Sequence, residues 1–253
     1  MWHEGIAKRG ANEISSCLLA HIQSLPSSVE SLTFFSDSCS GQNKNSIVAL
    51  MFSIIASTTE NIKEINHKFL VPGHTHMECD VDHSIIERKK KKTTAQIHHP
   101  RDWYQFIRNV RTKKPFCVKE MNQNTIFNFN DVLKNKCVFR KTDEDNNKVN
   151  WRFIKWLRYT KEFGTIEYKN SLSPDEKFKK LNIRKRGFNQ IQIDDVPKAY
   201  TEPIKISAEK KKDLISMLPL IDSVYHMFYN NLSTEIMSDF HPDITEEDVD
   251  ETI

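Results

Sequence analysis

Apolar and polar positions alternate along the first ninety residues with a period that switches repeatedly. From Asn12 to Leu25, Ile14, Cys17, Leu18, Ile22 and Leu25 recur at helical spacing, and Pro26 stops the run. Leu32-Thr33-Phe34-Phe35 is a short run of strand formers entered from the polar Ser27-Ser28 turn, which predicts a buried strand. It ends in the small, polar loop Ser36 to Gly41. Asn45 to Ala56 is apolar nearly all round, which predicts a helix covered on most sides. Ile65 to Val71 reads as a second strand closed by Pro72-Gly73, and Cys79 to Lys91 returns to helical character. The order helix, strand, helix, strand, helix predicts a parallel α/β sheet with functional groups at the carboxyl ends of its strands.

The second half reads differently. Trp103 to Val110 looks helical, whereas Phe116 to Val118, Cys137 to Arg140, Trp151 to Tyr159 and Thr165 to Tyr168 look like strands, with a polar turn over Lys141 to Asn150. A last helix is expected from Ala208 to Leu232, capped by Ser207 and kinked at Pro219, with Leu214, Leu218, Ile221, Tyr225 and Phe228 as its apolar stripe. The expected division is a core over 1–115, an α+β extension over 116–232 and an acidic, disordered tail over 233–253.

Composition narrows the class. With 253 residues the chain can bury a real core, and at 38% hydrophobic no stretch approaches the roughly 20 apolar residues of a membrane helix. Met1 runs directly into Trp2, His3 and Glu4 without a charged-then-apolar leader, and the five cysteines (17, 39, 79, 117 and 137) are scattered without CxxC spacing. Reduced thiols in an intracellular compartment are the expectation, rather than a secreted, membrane or disulfide-rich protein. Net charge is only +3 but unevenly placed. Arg88, Lys89, Lys90, Lys91 and Lys92 form an unbroken basic run, Arg101, Arg108 and Arg111 follow, and the acidic residues from Asp239 to Glu251 have no Lys or Arg among them. A basic middle beside an acidic end suits a protein that binds a polyanion. The plainer alternative is a solvated helix end and a solubilising tail.

Three groups could carry chemistry. Asp37 directly follows the first strand and opens a Gly-containing loop before a helix, where a carboxylate can hold a hard cation and helix-start amides favour phosphate. Its plainer role is that of a turn residue. If the chain from Asp80 onward is helical, Asp80, His83 and Glu87 share one face, leaving Val81 and Ile85 to pack on the sheet. Trp103, Tyr104 and Phe106 interleave with Arg101, Arg108 and Arg111, and Trp151, Trp156 and Tyr159 with Arg152, Lys155 and Arg158. Basic side chains among aromatics are the usual pattern for sequence-tolerant nucleic-acid contact, though core packing also accounts for the rings.

The block Gly73-His74-Thr75-His76 is similar to the GHxH motif of calcineurin-like metallophosphoesterases, in which His74 and His76 would be metal ligands. The early DxH, GDxxD and GNH(D/E) blocks of that family do not occur here. A broader resemblance rests on Trp2-x-Glu4 through Arg9-Gly10 to Glu13-Ile14-x-Ser16-Cys17-Leu18, then Ser36-Asp37-x-Cys39-x-Gly41-Gln42-Asn43-Lys44-Asn45. It continues with Gly73-His74-Thr75-x-Met77-Glu78-x-Asp80-x-x-His83-x-x-Ile86-Glu87 and a late block from Pro203 to Tyr229. These resemble a transposon-derived family of unknown function that is itself similar to the catalytic domain of DDE-type DNA transposases. The resemblance implies a ribonuclease-H-like three-layer core with helices around a mostly parallel sheet, plus a C-terminal α+β appendage. It also implies a nuclear location and an acidic triad binding Mg²⁺ or Mn²⁺ for phosphoryl transfer on DNA. Asp37 matches the second acid, and Asp80 or Glu87 the third, with His83 as helper. Lys44, Arg88 to Lys92, Arg101, Arg108 and Arg111 would meet the DNA backbone. The first acid would precede the Trp2-x-Glu4 block, so an N-terminally truncated chain, inactive on its own and with an open sheet edge, is the expectation. Its expected partners are DNA and further copies of itself.

Overall fold

The computed structural model describes residues 1–71, 73 and 76–235, and these divide into two compact units. One comprises Arg9–Thr75 with Thr125–Ala199, the other Met1–Lys8, His76–Asn124 and the described part of Tyr200–Asp243. The acidic residues from Asp239 onward lie outside the described residues. Among the described residues no helix is long and apolar enough to cross a membrane.

The first unit holds the whole hydrophobic core cluster. Helix α1 (Ala11–Ile22) packs its Leu19 and Ile22 side on α2 (Ser46–Thr58), and strand β1 (Ser31–Ser36) lies between them in the chain. Helix α2 is buried from Val48 to Ala56, as its all-round apolar sequence requires, and Asn45 caps it by accepting from the Val48 amide at 3.0 Å. Strand β2 (Glu64–Phe69) lies parallel to β1, with Ser31 beside Glu64 and Ser36 beside Phe69. The crossover through α2 demands that direction.

The rest of the sheet departs from the parallel expectation. Strands β3 (Trp156–Tyr159), β4 (Thr165–Lys169) and β5 (Lys179–Asn182) complete a five-stranded sheet in the order β1-β2-β3-β4-β5, each joined antiparallel to its predecessor. The connections from β3 to β4 and from β4 to β5 are short, so only an antiparallel return is open to them. The sheet is therefore mostly antiparallel, in a mixed α/β fold with seven α-helices among the described residues. At the β3–β4 turn Gly164 has φ +76°, and a Cβ there would lie 2.2 Å from Arg184 Cγ.

Other boundaries shift too. Helix α3 spans Glu78–Lys92 and α4 spans Pro100–Arg108, close to expectation. Phe116–Val118 is not a strand, and of Cys137–Arg140 only Cys137 makes an isolated bridge, to Arg184. Helix α5 (Phe129–Lys136) and strand β5 are elements the pattern does not predict. The long terminal helix is instead α6 (Ala208–Ser216), two 3₁₀ turns and α7 (His226–Asn230), because Pro219 sits inside the first turn and ends α-helical bonding.

Among its described residues the second unit has no comparable core; polar bonds and ring contacts stitch its three segments together. The Met1 ammonium donates to Lys119 O at 2.5 Å, the Ile204 amide to Gly5 O at 2.9 Å, and Lys210 pairs with Glu4 at 2.5 Å. Tyr229 donates to His98 O, and the His99 and Tyr225 rings stack at 5.6 Å.

Candidate nucleic-acid interface

Asp37 and Lys44 belong to the first unit. Asp37 sits at the carboxyl end of β1, and its Oδ1 accepts from the Cys39 amide (3.1 Å) and from Asn43 Nδ2 (2.7 Å), closing the loop into α2. This is the turn role; Oδ2 has no partner among the described residues. Behind it, Ser36 Oγ donates to Asp37 O (2.9 Å) and lies 2.8 Å from Nε2 of buried His67 on β2. The hydroxyl's single proton is taken by the carbonyl, so His67 donates through Nε2–H and is the neutral Nε2 tautomer. Burial, helped by the Lys44 charge, pushes its pKa down to about 3.

Lys44, expected at a phosphate, points inward instead. Its Nζ donates to Ile154 O (2.7 Å) and Arg152 O (3.0 Å) and lies 4.9 Å from the centre of the Phe69 ring. Burial and then Lys155 lower its pKa to about 8. It ties the segment before β3 to the α2 loop. The interleaved residues of β3 are divided by the strand alternation: Tyr159 is fully buried, whereas Trp156 faces the other side with Lys68 Nζ 3.9 Å and Lys169 Nζ 4.7 Å from its ring centre.

Asp80, His83 and Glu87 all lie on α3 in the second unit. Asp80 Oδ2 accepts from the Met77 amide (2.8 Å), so it caps the helix. Asp82, which the pattern does not single out, pairs with Arg111 at 3.1 Å. No residue of α3 is buried; Val81 is 45% exposed and Ile85 half-buried. His83 and Glu87 are exposed. Glu87, Arg88 and Lys91 line an open concavity of about 480 Å³ with His76, Val81 and Ser84. His74 and Thr75 lie outside the described residues. Among the described residues no three His, Cys, Asp or Glu side chains form a group able to hold a metal.

The basic residues separate into engaged and open groups. Arg108 Nη2 donates to Val118 O (3.1 Å) and pairs with Glu120 (2.9 Å). Arg111, besides holding Asp82, stacks its guanidinium 3.9 Å from the Phe116 ring centre. Both are engaged by partners within this unit. Arg88 to Lys92 differ: Arg88 Nε donates to Ser84 O at 3.2 Å and Lys90 Nζ to Ala95 O at 3.4 Å, while Lys89, Lys91 and Lys92 are exposed at the helix end. Arg101 is exposed on the first turn of α4. Acids lead α3 and cations close it, the arrangement its macrodipole favours.

These features define a mixed α/β protein with an open cationic helix end. Residues 5–170 match the family model described as Domain of unknown function (DUF7869), and the chain belongs to that family. No curated protein and no solved structure matches it.

Proposed function

We propose that this protein contacts DNA through the basic end of α3, and that it is a transposon-derived, RNase H-like protein acting in the nucleus. The observation that carries the contact is a run of five cations, Arg88 to Lys92, on a helix with no buried side chain. Such a run can neutralise successive phosphates without breaking any packing. The ancestry is supported by α1, β1, α2 and β2 in that order with β1 and β2 parallel, followed by a helix bearing acids. Anisotropy of a labelled DNA duplex measured against salt tests the contact. Each phosphate that is no longer neutralised lowers the slope of log K against log salt by about 0.9, so replacing Lys89 to Lys92 by Gln should flatten it by roughly 3 to 4. No binding at low salt, or an unchanged slope, overturns the reading.

A metal-dependent phosphoryl transfer on DNA is the second reading, favoured by the position of Asp37 at a strand end with one carboxylate oxygen unengaged among the described residues. Asp37 would be a ligand of Mg²⁺ or Mn²⁺ in that reading. Calorimetric titration with Mn²⁺ tests it: heat that disappears in Asp37→Ala supports the site, and identical isotherms exclude it.

A further inference from the structure

Among the described residues strand β1 is an edge of the sheet, with β2 on one side only. Ser36 O accepts from the Leu70 amide, so by the alternation of a parallel ladder Leu32 and Phe34 also turn their backbone groups toward β2. Ser31, Thr33 and Phe35 then turn their N–H and C=O groups outward, and no hydrogen bond among the described residues reaches them. All three are exposed, Phe35 to 56%. Natural edges are usually blunted by charge, proline or a bulge. Between Ser31 and Ser36 there is no charged residue, no proline and no break in register.

We propose that this edge pairs with β1 of a second copy of the chain, antiparallel, about a two-fold axis through Thr33. The outward set is self-complementary under that operation. Thr33 meets its own counterpart, and Ser31 meets Phe35 of the second copy, giving about six N–H···O=C bonds in an isologous contact. Uncharged β1 faces no like charge across the axis, and Glu30, opposite Ser36 of the second copy, already pairs with Lys63. Each exposed Phe35 ring acquires a cross-strand neighbour. The product is one sheet continuous through both copies. A single strand pair is a small interface, so the dimer forms at micromolar rather than nanomolar concentration.

Sedimentation velocity of the full chain over about 1 to 200 μM tests this, beside two variants. Thr33→Pro removes an outward N–H and leaves the β1–β2 ladder intact. Phe35→Lys puts a charge on each side of the axis at an exposed position and preserves the fold should the proline disturb it. The expected result is a concentration-dependent dimer for the wild type, a monomer for either folded variant, and slowed exchange of the Thr33 and Phe35 amides as the wild-type concentration rises. A wild-type monomer throughout, or a dimer that survives Phe35→Lys, overturns the proposal.

Discussion

His67 gives the first unit an acid sensitivity that can be calculated. Its ring is 2% exposed, with the Phe52 and Phe69 ring centres at 5.4 and 4.3 Å and Ser36 as its polar partner. The native pKa is about 3, against about 6.5 for an unfolded chain. The native pKa is depressed, so below about pH 6.5 the unfolded state binds a proton that the native state refuses, and stability falls as pH falls. Moving from about pH 7.5 to about pH 5 costs about 2 kcal/mol from this residue alone, and the loss grows until the pH reaches the native value. Urea unfolding followed at both pH values should show this loss in the wild type. In His67→Phe, which keeps an aromatic ring and cannot take a proton, the loss should shrink by about 2 kcal/mol. His3 and His99, also lowered by burial, are common to both proteins and cancel in the comparison. An equal pH penalty in the variant would refute the argument.

Three further outcomes follow from the packing. The Tyr159 hydroxyl is fully buried without a hydrogen-bond partner among the described residues, so Tyr159→Phe should hold or raise the denaturation midpoint, by up to about 1 kcal/mol, and a loss above that value would reveal a hidden partner. Gly164→Ala should cost more than about 2 kcal/mol, read by thermal unfolding, because positive φ and the Arg184 side chain both oppose a Cβ. Lys44→Ala should lower stability by about 2 kcal/mol, since one buried and one part-buried carbonyl lose their donor, yet leave the salt slope of DNA binding unchanged; a flattened slope would place Lys44 on the DNA.

What the sequence discloses, and what it hides, follow from the range of the interactions. Helices α1 to α4 and strands β1 and β2 are legible because each carries a complete local signal, such as the apolar run of α2 with Asn45 as its cap. Strand β5, Lys179–Asn182, is not, because three of its four residues are polar and only Leu181 reaches the core. The pairing direction of β3 to β5 escapes the reading because an α/β pattern in the first half says nothing of short returns in the second. The second unit, drawn from three separate segments, leaves no linker to read. For the candidate site residues, the pattern along the chain places side chains on elements but does not name their partners. Nothing around Lys44 or Arg111 in sequence reveals that Ile154 O and Asp82 await them. Asp37 is legible at its strand end, and the plainer turn role is visible in its bonds to Cys39 and Asn43.

Helix α3 is held mainly by its own caps and by the order of its charges, since it buries no side chain. An element of that kind melts at little cost to the remainder of the protein. Rising ionic strength weakens the attraction of its terminal charges to the helix dipole at the same time as it screens them from a ligand. Coupled folding and binding would then make the apparent counterion count exceed the number of lysines that touch phosphate, and the excess would measure how much of the helix forms only on the ligand.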